Sequence, residues 1–404
     1  MRRAQLALFA AVLSTILGCG SNFELPTERR RAQVVPDDKS YAMLDTWKGS
    51  TAYPLTGVRD VMITRGLGSQ LFMLFNTGGT GGPATPRGDV RLYPFTQPVP
   101  IGAPFFDSPR TLFNPIAIAS AQNILFVLDQ GDTCLAKFDP QRNTCEADPV
   151  RNGRQHIIHD YLATWRVREY PITGGDTIST FTDTTVALVH GVGADDFGNV
   201  YVSGLAVVLD TSTTDQRIRT RKFVSRIYRY KRGPRYPGVV LDSLYGPNIM
   251  PGANWHRDTT WVVLDGTGRS SVNDPRGITW SPTGAAGGSV FVSDRGNNKA
   301  KLIGTSASGI GLAVMDGSET PTGTAFNGPS NVAVDELGYL YIIDRLNRRV
   351  LRYDNHGTYV QDVNIENNSD DLPLLDPIAI GVDDSLAYVA DYGRGQVIRY
   401  KRRN

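Results

Sequence analysis

Six times along this 404-residue chain a short apolar run passes through a small turn into a second run ending in an aromatic and, in the best copies, an Asp. In the clearest copy Asn331-Val332-Ala333-Val334-Asp335 leads through Gly338 into Leu340-Tyr341-Ile342-Ile343-Asp344, then Asn347 and Arg349-Val350-Leu351-Arg352-Tyr353. The next runs Ile378-Ala379-Ile380, Leu386-Ala387-Tyr388-Val389-Ala390-Asp391, Val397-Ile398-Arg399-Tyr400. Asp294, Asp344 and Asp391 are 50 and 47 positions apart. β-branched and aromatic residues between Gly, Asn and Asp turns are strand chemistry, and helical patterning is almost absent. One such unit cannot bury both apolar faces of its own small sheet, so units of 40 to 50 residues must stack radially. The period predicts an all-β, six-bladed β-propeller.

The other second strands are Gln70–Phe75, Ile124–Asp129, Asn199–Ser203 and Ser289–Asp294; the first unit ends in Phe75 and the third has Ser203, where the other four end in Asp. Third strands are expected at Val90–Tyr93, Leu135–Phe138, Arg226–Tyr230 and Ala300–Ile303. The sixth unit runs out after three strands, four residues beyond Tyr400. Its fourth is expected from the N-terminus, at Tyr41-Ala42-Met43-Leu44 or Thr46-Trp47, closing the ring and covering an edge that would otherwise invite aggregation. Insertions interrupt the period at Pro140–Ala187, Gly204–Phe223 and Gly233–Asn273, and Trp165–Pro171 echoes a third strand, which makes a seventh blade the alternative.

Pro329 to Tyr353 resembles the NHL repeat, with Pro275 to Ile303 and Asp376 to Tyr400 close to the same pattern. That resemblance implies the fold; enzymes, RNA binders and scaffolds all occur in the family, so it implies no activity.

Arg2 and Arg3 precede a nearly all-apolar stretch from Ala4 to Leu17, too short for a comfortable bilayer span. It ends in Ile16-Leu17-Gly18-Cys19, which resembles the bacterial lipoprotein lipobox. The resemblance implies a signal peptide over 1–18, a lipidated Cys19 opening a flexible tether over 19–39, and a propeller over 40–404. The expected location is the bacterial cell envelope, lipid-anchored at the outer membrane or periplasmic side. In such a compartment Cys134 and Cys145, 11 positions apart, are expected to form a disulfide. Without Arg2 and Arg3 the chain holds 40 basic and 40 acidic residues, lacking the basic excess of a nucleic-acid binder. The runs Tyr228–Arg232 and Arg399–Arg403 are read as strand ends with Tyr inward and Arg or Lys in solvent.

Asp129, Asp294, Asp344 and Asp391 recur in every good repeat, which argues for a structural role in accepting turn N–H groups rather than for one active site. No nucleophile elbow or phosphate-cradling glycine loop is present. Residues just before the first strands converge at one end of a propeller axis; these are read as Arg59, Asn114, His190, Arg276, Ser330 and Asp376. The NHL-type amidating lyases place zinc-binding histidines there, and His190 alone stands in such a position; no metal and no cofactor is expected. Arg59 and Arg276, three blades apart, suit a carboxylate or phosphate. The chain is thus expected to be a non-catalytic binding or scaffold module for an acidic small molecule or a protein or peptide partner. The alternative is a metal-assisted hydrolase or lyase using the axial pocket.

Overall fold

The computed structural model describes residues 40–403 except 53, 66–68, 77–87, 102–111, 113, 130–137, 140–143, 146–165, 173–178, 182, 184, 210–220, 233–254, 283–287, 307–308 and 364–373. Its first strand, β1 (Tyr41–Trp47), belongs to the last blade. Blade 1 contains β2 (Val58–Ile63), β3 (Leu71–Asn76) and β4 (Gly88–Tyr93), and beyond them Ile101 N–H donates to Leu92 O. Blade 2 begins with β5 (Pro115–Ala121) and β6 (Ile124–Asp129); after a pair of two-residue strands, β7 (Phe138–Asp139) with β8 (Thr144–Cys145), it continues with β9 (Arg166–Pro171) and β10 (Ser179–Phe181). Blade 3 is β11 (Val186–Ala194), β12 (Val200–Leu209), β13 (Arg221–Arg232) and β14 (Trp255–Asp265), edged by the short β15 (Ser271–Val272). Blade 4 is β16 (Pro275–Ser281), β17 (Ser289–Asp294), β18 (Lys299–Gly304) and β19 (Gly311–Met315). Blade 5 is β20 (Pro329–Val334), β21 (Leu340–Asp344), β22 (Arg349–Tyr353) and β23 (Tyr359–Asp362). Blade 6 is β24 (Pro377–Val382), β25 (Leu386–Asp391), β26 (Gln396–Arg402) and, outermost, β1.

The ring is a six-bladed β-propeller. Its inner strands β2, β5, β11, β16, β20 and β24 neighbour one another in that order, and β24 touches β2 to complete the circle. Closure comes from β1 paired antiparallel along β26, Tyr41 opposite Arg402 and Trp47 opposite Val397. Among the described residues no seventh blade is found: Arg166–Pro171 is the third strand of blade 2, running antiparallel to β6 from Asp129↔Arg166 to Ile124↔Pro171. The third strand expected at Leu135–Phe138 is therefore displaced, because the full-length partner of β6 lies beyond the insertion. The insertion at Gly204–Phe223 mainly lengthens the β12–β13 hairpin, which stays paired as far as Leu209↔Arg221.

Packing explains why second strands are apolar on every residue rather than on alternate ones. Leu71, Met73 and Phe75 of β3 face blade 6, where they meet Trp47, Ala379, Tyr388 and Val397. Phe72 and Leu74 face blade 2 and pack with Ile118, Leu125 and Val127. Successive side chains point to opposite faces of a strand, and here each face is a blade-to-blade core. Six such clusters fill the six gaps around the ring.

The recurrent Asp residues are structural, as their repetition implied, but they do a different job from the one expected. Their Oδ1 atoms bind the chain entering the inner strand: Asp129 accepts from Asn114 N–H (2.7 Å), Asp294 from Asn273 N–H (2.6 Å), Asp344 from Asn327 N–H (2.7 Å) and Asp391 from Asp376 N–H (2.8 Å). In blade 3 Gly204, not Ser203, occupies the register position of that Asp, since Val189 pairs with Gly204 as Pro329 pairs with Asp344. A Cβ on Gly204 would lie 2.1 Å from Leu188 O, so no side chain fits there. The two basic runs also differ from expectation. Arg229 and Arg399 are buried, paired with Asp258 and Asp45 and stacked over Trp261 and Trp47, because the outermost strand of each blade covers them.

Cys19 and Cys134 lie outside the described residues, so the lipidation site and the Cys134–Cys145 pairing are not part of this geometry.

Candidate functional site

Every inner strand carries a β-bulge near its start. Pairing with the second strand skips from Val58 to Asp60, Pro115 to Ala117, Val189 to Gly191, Pro275 to Ile278, Pro329 to Asn331 and Pro377 to Ala379. A bulged residue is released from the ladder and re-aimed. In this ring the released residues are Arg59, Ile116, His190, Arg276 with Gly277, Ser330 and Ile378, and all of them line an axial cavity of about 760 Å³.

Four of the six residues expected at the axial mouth are therefore bulge residues: Arg59, His190, Arg276 and Ser330. The other two are offset. In blade 2 the equivalent position is Ile116, and Asn114 reaches the cavity from the preceding loop, where Asn76 Nδ2 donates to its Oδ1 (2.5 Å). In blade 6 it is Ile378. Asp376 is not among the lining residues; it accepts two hydrogen bonds from Arg345, from Nε at 2.5 Å and Nη2 at 2.8 Å. Counting back from the apolar run cannot locate a bulge, which inserts a residue without changing the hydrophobic pattern.

Two further cations at this mouth, Arg295 and Arg345, arrive from second-to-third-strand turns. Arg276 and Arg295 share one carboxylate: Arg276 Nη2 lies 3.0 Å from Asp274 Oδ1, and Arg295 Nη1 lies 3.8 Å from Asp274 Oδ2. Arg59 has no carboxylate partner among the described residues; its guanidinium lies 4.6 Å over the ring of Tyr392, and its buried Nε makes no hydrogen bond. Arg276 Nε and Ser330 Oγ are likewise buried without partners. Four guanidiniums against Asp274 and Asp376 leave the mouth cationic. His190 adds no charge at neutral pH, because burial and the nearby Arg276 pull its pKa down to about 4. The neutral ring donates from Nδ1 to Pro275 O (3.0 Å), leaving Nε2 as an acceptor.

One residue further along the inner strands the ring reads Asp60, Ala117, Gly191, Gly277, Asn331, Ala379. Here neighbouring blades nearly touch: a Cβ on Gly191 would fall 2.2 Å from Arg276 O, and one on Gly277 would fall 2.6 Å from Asn331 Cα. Blades 1 and 5 instead place polar side chains. Asp60 is only 7% exposed, accepts from Ile118 N–H at Oδ2 (2.9 Å) and from Val61 N–H at Oδ1 (2.9 Å), and meets Asn331 Nδ2 at 3.3 Å. Burial pushes its carboxyl up to about 7, against the lowering effect of those three donors. Nothing in the local sequence singles out Asp60; the only hint is its place in a ring otherwise filled by Ala, Gly and Asn. At the opposite end of the cavity Arg65 donates to Trp280 O and faces Asp196.

Among the described residues, no three His, Cys, Asp or Glu side chains converge as a metal site would require. No described helix is long and apolar enough to cross a membrane.

No family model matches the chain, and no curated protein matches it in sequence. Among solved structures it is similar to a catalytically inactive virginiamycin B lyase from Staphylococcus aureus crystallised with quinupristin (TM-score 0.42, 8% identity, covering 90% of this chain and 99% of that one). A streptogramin B lyase aligns at TM-score 0.42 and 8% identity over 90% and 98% of the two chains. The PQQ-bound aldose sugar dehydrogenase of Streptomyces coelicolor aligns at 0.46 and 10%, over 90% and 98%. Likeness at this level concerns the arrangement of blades and carries nothing about chemistry.

Proposed function

We propose that the chain is an NHL-like, lipid-anchored propeller of the bacterial envelope that acts as a non-catalytic binding module, capturing an anionic group at its axial mouth. The anion is a carboxylate or phosphate on a small molecule, or the acidic end of a peptide. The observation that carries this reading is the pair of bulge residues Arg59 and Arg276. They stand on blades 1 and 4, opposite each other in the ring, each with a buried Nε that makes no hydrogen bond. A guanidinium offers forked donors matched to carboxylate and phosphate, and a narrow low-dielectric mouth focuses their field. The metal-assisted alternative draws no support from the described side chains.

The test is calorimetry of the tether-free body against a panel of carboxylates and phosphates. Binding should weaken with salt. Since a hydrogen bond to a charged group contributes about 1.5–3 kcal/mol, Arg59→Ala/Arg276→Ala should weaken it at least about tenfold. Unchanged affinity in the double variant sinks the proposal.

A further inference from the structure

Resting on that reading of the mouth, we infer that the ligand is an acid carrying a hydroxyl or ammonium donor on a carbon close to its anionic group, and that Asp60, held by Asn331, is the residue selecting for that donor.

Position supports this first. Asp60 follows Arg59 directly, and a strand rises about 3.3 Å per residue, so the carboxylate ring lies one short step below the guanidinium ring. A ligand anchored by its anion between Arg59 and Arg276 projects its adjacent carbons toward Asp60. At this level neighbouring inner strands pack backbone against backbone at Gly191 and Gly277, which leaves Asp60 and Asn331 as the polar side chains of the ring.

Hydrogen-bond capacity is the second support. The Asp60 carboxylate has about four lone-pair sites, and three are taken, by Val61 N–H, Ile118 N–H and Asn331 Nδ2. The open site is on Oδ2, which holds only the Ile118 bond. All three protein partners are donors, so in its ionised form the remaining capacity of Asp60 accepts, and a donor on the ligand is what completes it.

The third support is that a buried carboxylate is costly without a ligand that uses it. Four of six blades fill this ring position with Ala or Gly, and the chain departs from that pattern only where two polar side chains meet across the channel. Burial of Asp60 favours its neutral form, and a donor on the ligand favours the ionised one. Binding should therefore release a proton near neutral pH.

Calorimetry with matched probes tests the inference: hexanoate, 3-hydroxyhexanoate and 3-aminohexanoate, then propyl phosphate against glycerol 1-phosphate. Wild-type protein should bind the donor-bearing member of each set at least fivefold more tightly. Asp60→Asn should cut that preference to under twofold, through weaker binding of the donor-bearing probes. Asn331→Ala, which removes one support of the carboxylate and keeps Asp60, should reduce the preference in part and serves as the second variant if Asp60→Asn does not fold. Proton release, read from enthalpies in buffers of different ionisation heat, should accompany only the donor-bearing probes. Equal affinity for plain and donor-bearing acids in the wild type overturns this inference and leaves the cationic mouth standing. No binding of either overturns the mouth, and this inference with it.

Discussion

The hydroxyl of Tyr41, on the N-terminal strand, lies 2.9 Å from the hydroxyl of Tyr341, on the second strand of blade 5. Tyr341 spends its own proton on Asp335 Oδ2, also at 2.9 Å, so Tyr41 is the donor of the pair. Their rings meet edge to face at 6.3 Å. The strand that completes blade 6 is thereby tied to the neighbouring blade as well as to its own sheet. Tyr41→Phe leaves the ring contact and the Tyr341–Asp335 bond intact and should cost about 1 kcal/mol in urea denaturation. Deletion through Trp47 should instead expose β26 as an open edge and produce aggregation on gel filtration.

Lys301 and Asp294 form an ion pair with both side chains fully buried, Nζ to Oδ2 at 2.6 Å. Nζ also donates to Gly268 O (2.8 Å) and Ser271 O (2.5 Å), which pins the loop leaving β14 against β18. Lys301→Met strands a buried carboxylate and two carbonyls, and the expected loss is about 3–5 kcal/mol. A chemical melt of the variant with an unchanged midpoint would show that the pair contributes nothing.

Two cavity residues give stability opposite pH dependences. His190 titrates at about 4 in the folded chain and near 6.5 unfolded, so the unfolded state binds more protons between these values. Its contribution is complete above pH 6.5 and is lost as pH falls toward 4. Asp60 has its folded value raised to about 7, so the folded state holds a proton that the unfolded state has released; its contribution is present below about pH 4 and lost as pH rises through 7. Asp60→Asn should therefore stabilise at pH 8 relative to wild type and change little at pH 4. His190→Gln should remove an acid-side loss. Denaturation midpoints from pH 4 to 8 check both signs, and matching pH profiles for wild type and variants would contradict them.

Asp376 neutralises Arg345 beside the mouth. Asp376→Ala frees that guanidinium and should tighten anion binding by about threefold to tenfold, with a steeper salt dependence. Weaker binding would mean that Asp376 touches the ligand itself.

The cysteine assignments remain open to direct mass measurement. Cys19→Ser should release the protein from membranes and abolish an acyl mass increment. Non-reducing peptide mapping of native protein should recover Cys134 and Cys145 in one linked peptide. Tight membrane association of the Cys19 variant, or two free thiols, would refute the respective assignment.

Fold class was legible in the chain because blade burial writes itself into composition. A second strand such as β21, covered on both faces, is apolar at every position up to its terminal Asp344, and the turns between such strands favour Gly, Asn or Asp. The closing strand was legible for the same reason, since the sixth unit lacked an outer partner and Tyr41–Trp47 had the residues for one. Blade 2 was misread at its third strand because Leu135–Phe138 and Arg166–Pro171 both satisfy the pattern, and only pairing with β6 distinguishes them.

The mouth was half legible. Arg59, His190, Arg276 and Ser330 were found by counting from the repeat, whereas Ile116 and Ile378 displaced Asn114 and Asp376. A bulge changes which residue faces the axis by one position and leaves no mark in hydrophobicity. Arg345 and Arg295 sit in second-to-third-strand turns, which the repeat gives no reason to place at the axis. Asp60 could not be picked out at all: it is an isolated carboxylate in sequence, and what makes it unusual is burial among Ile118, Val61 and Asn331 from three different blades. Local patterning determined the strands, their number and the ring. Only closure of that ring, which brings residues 271 positions apart to within hydrogen-bonding reach, decided where charge meets the axis.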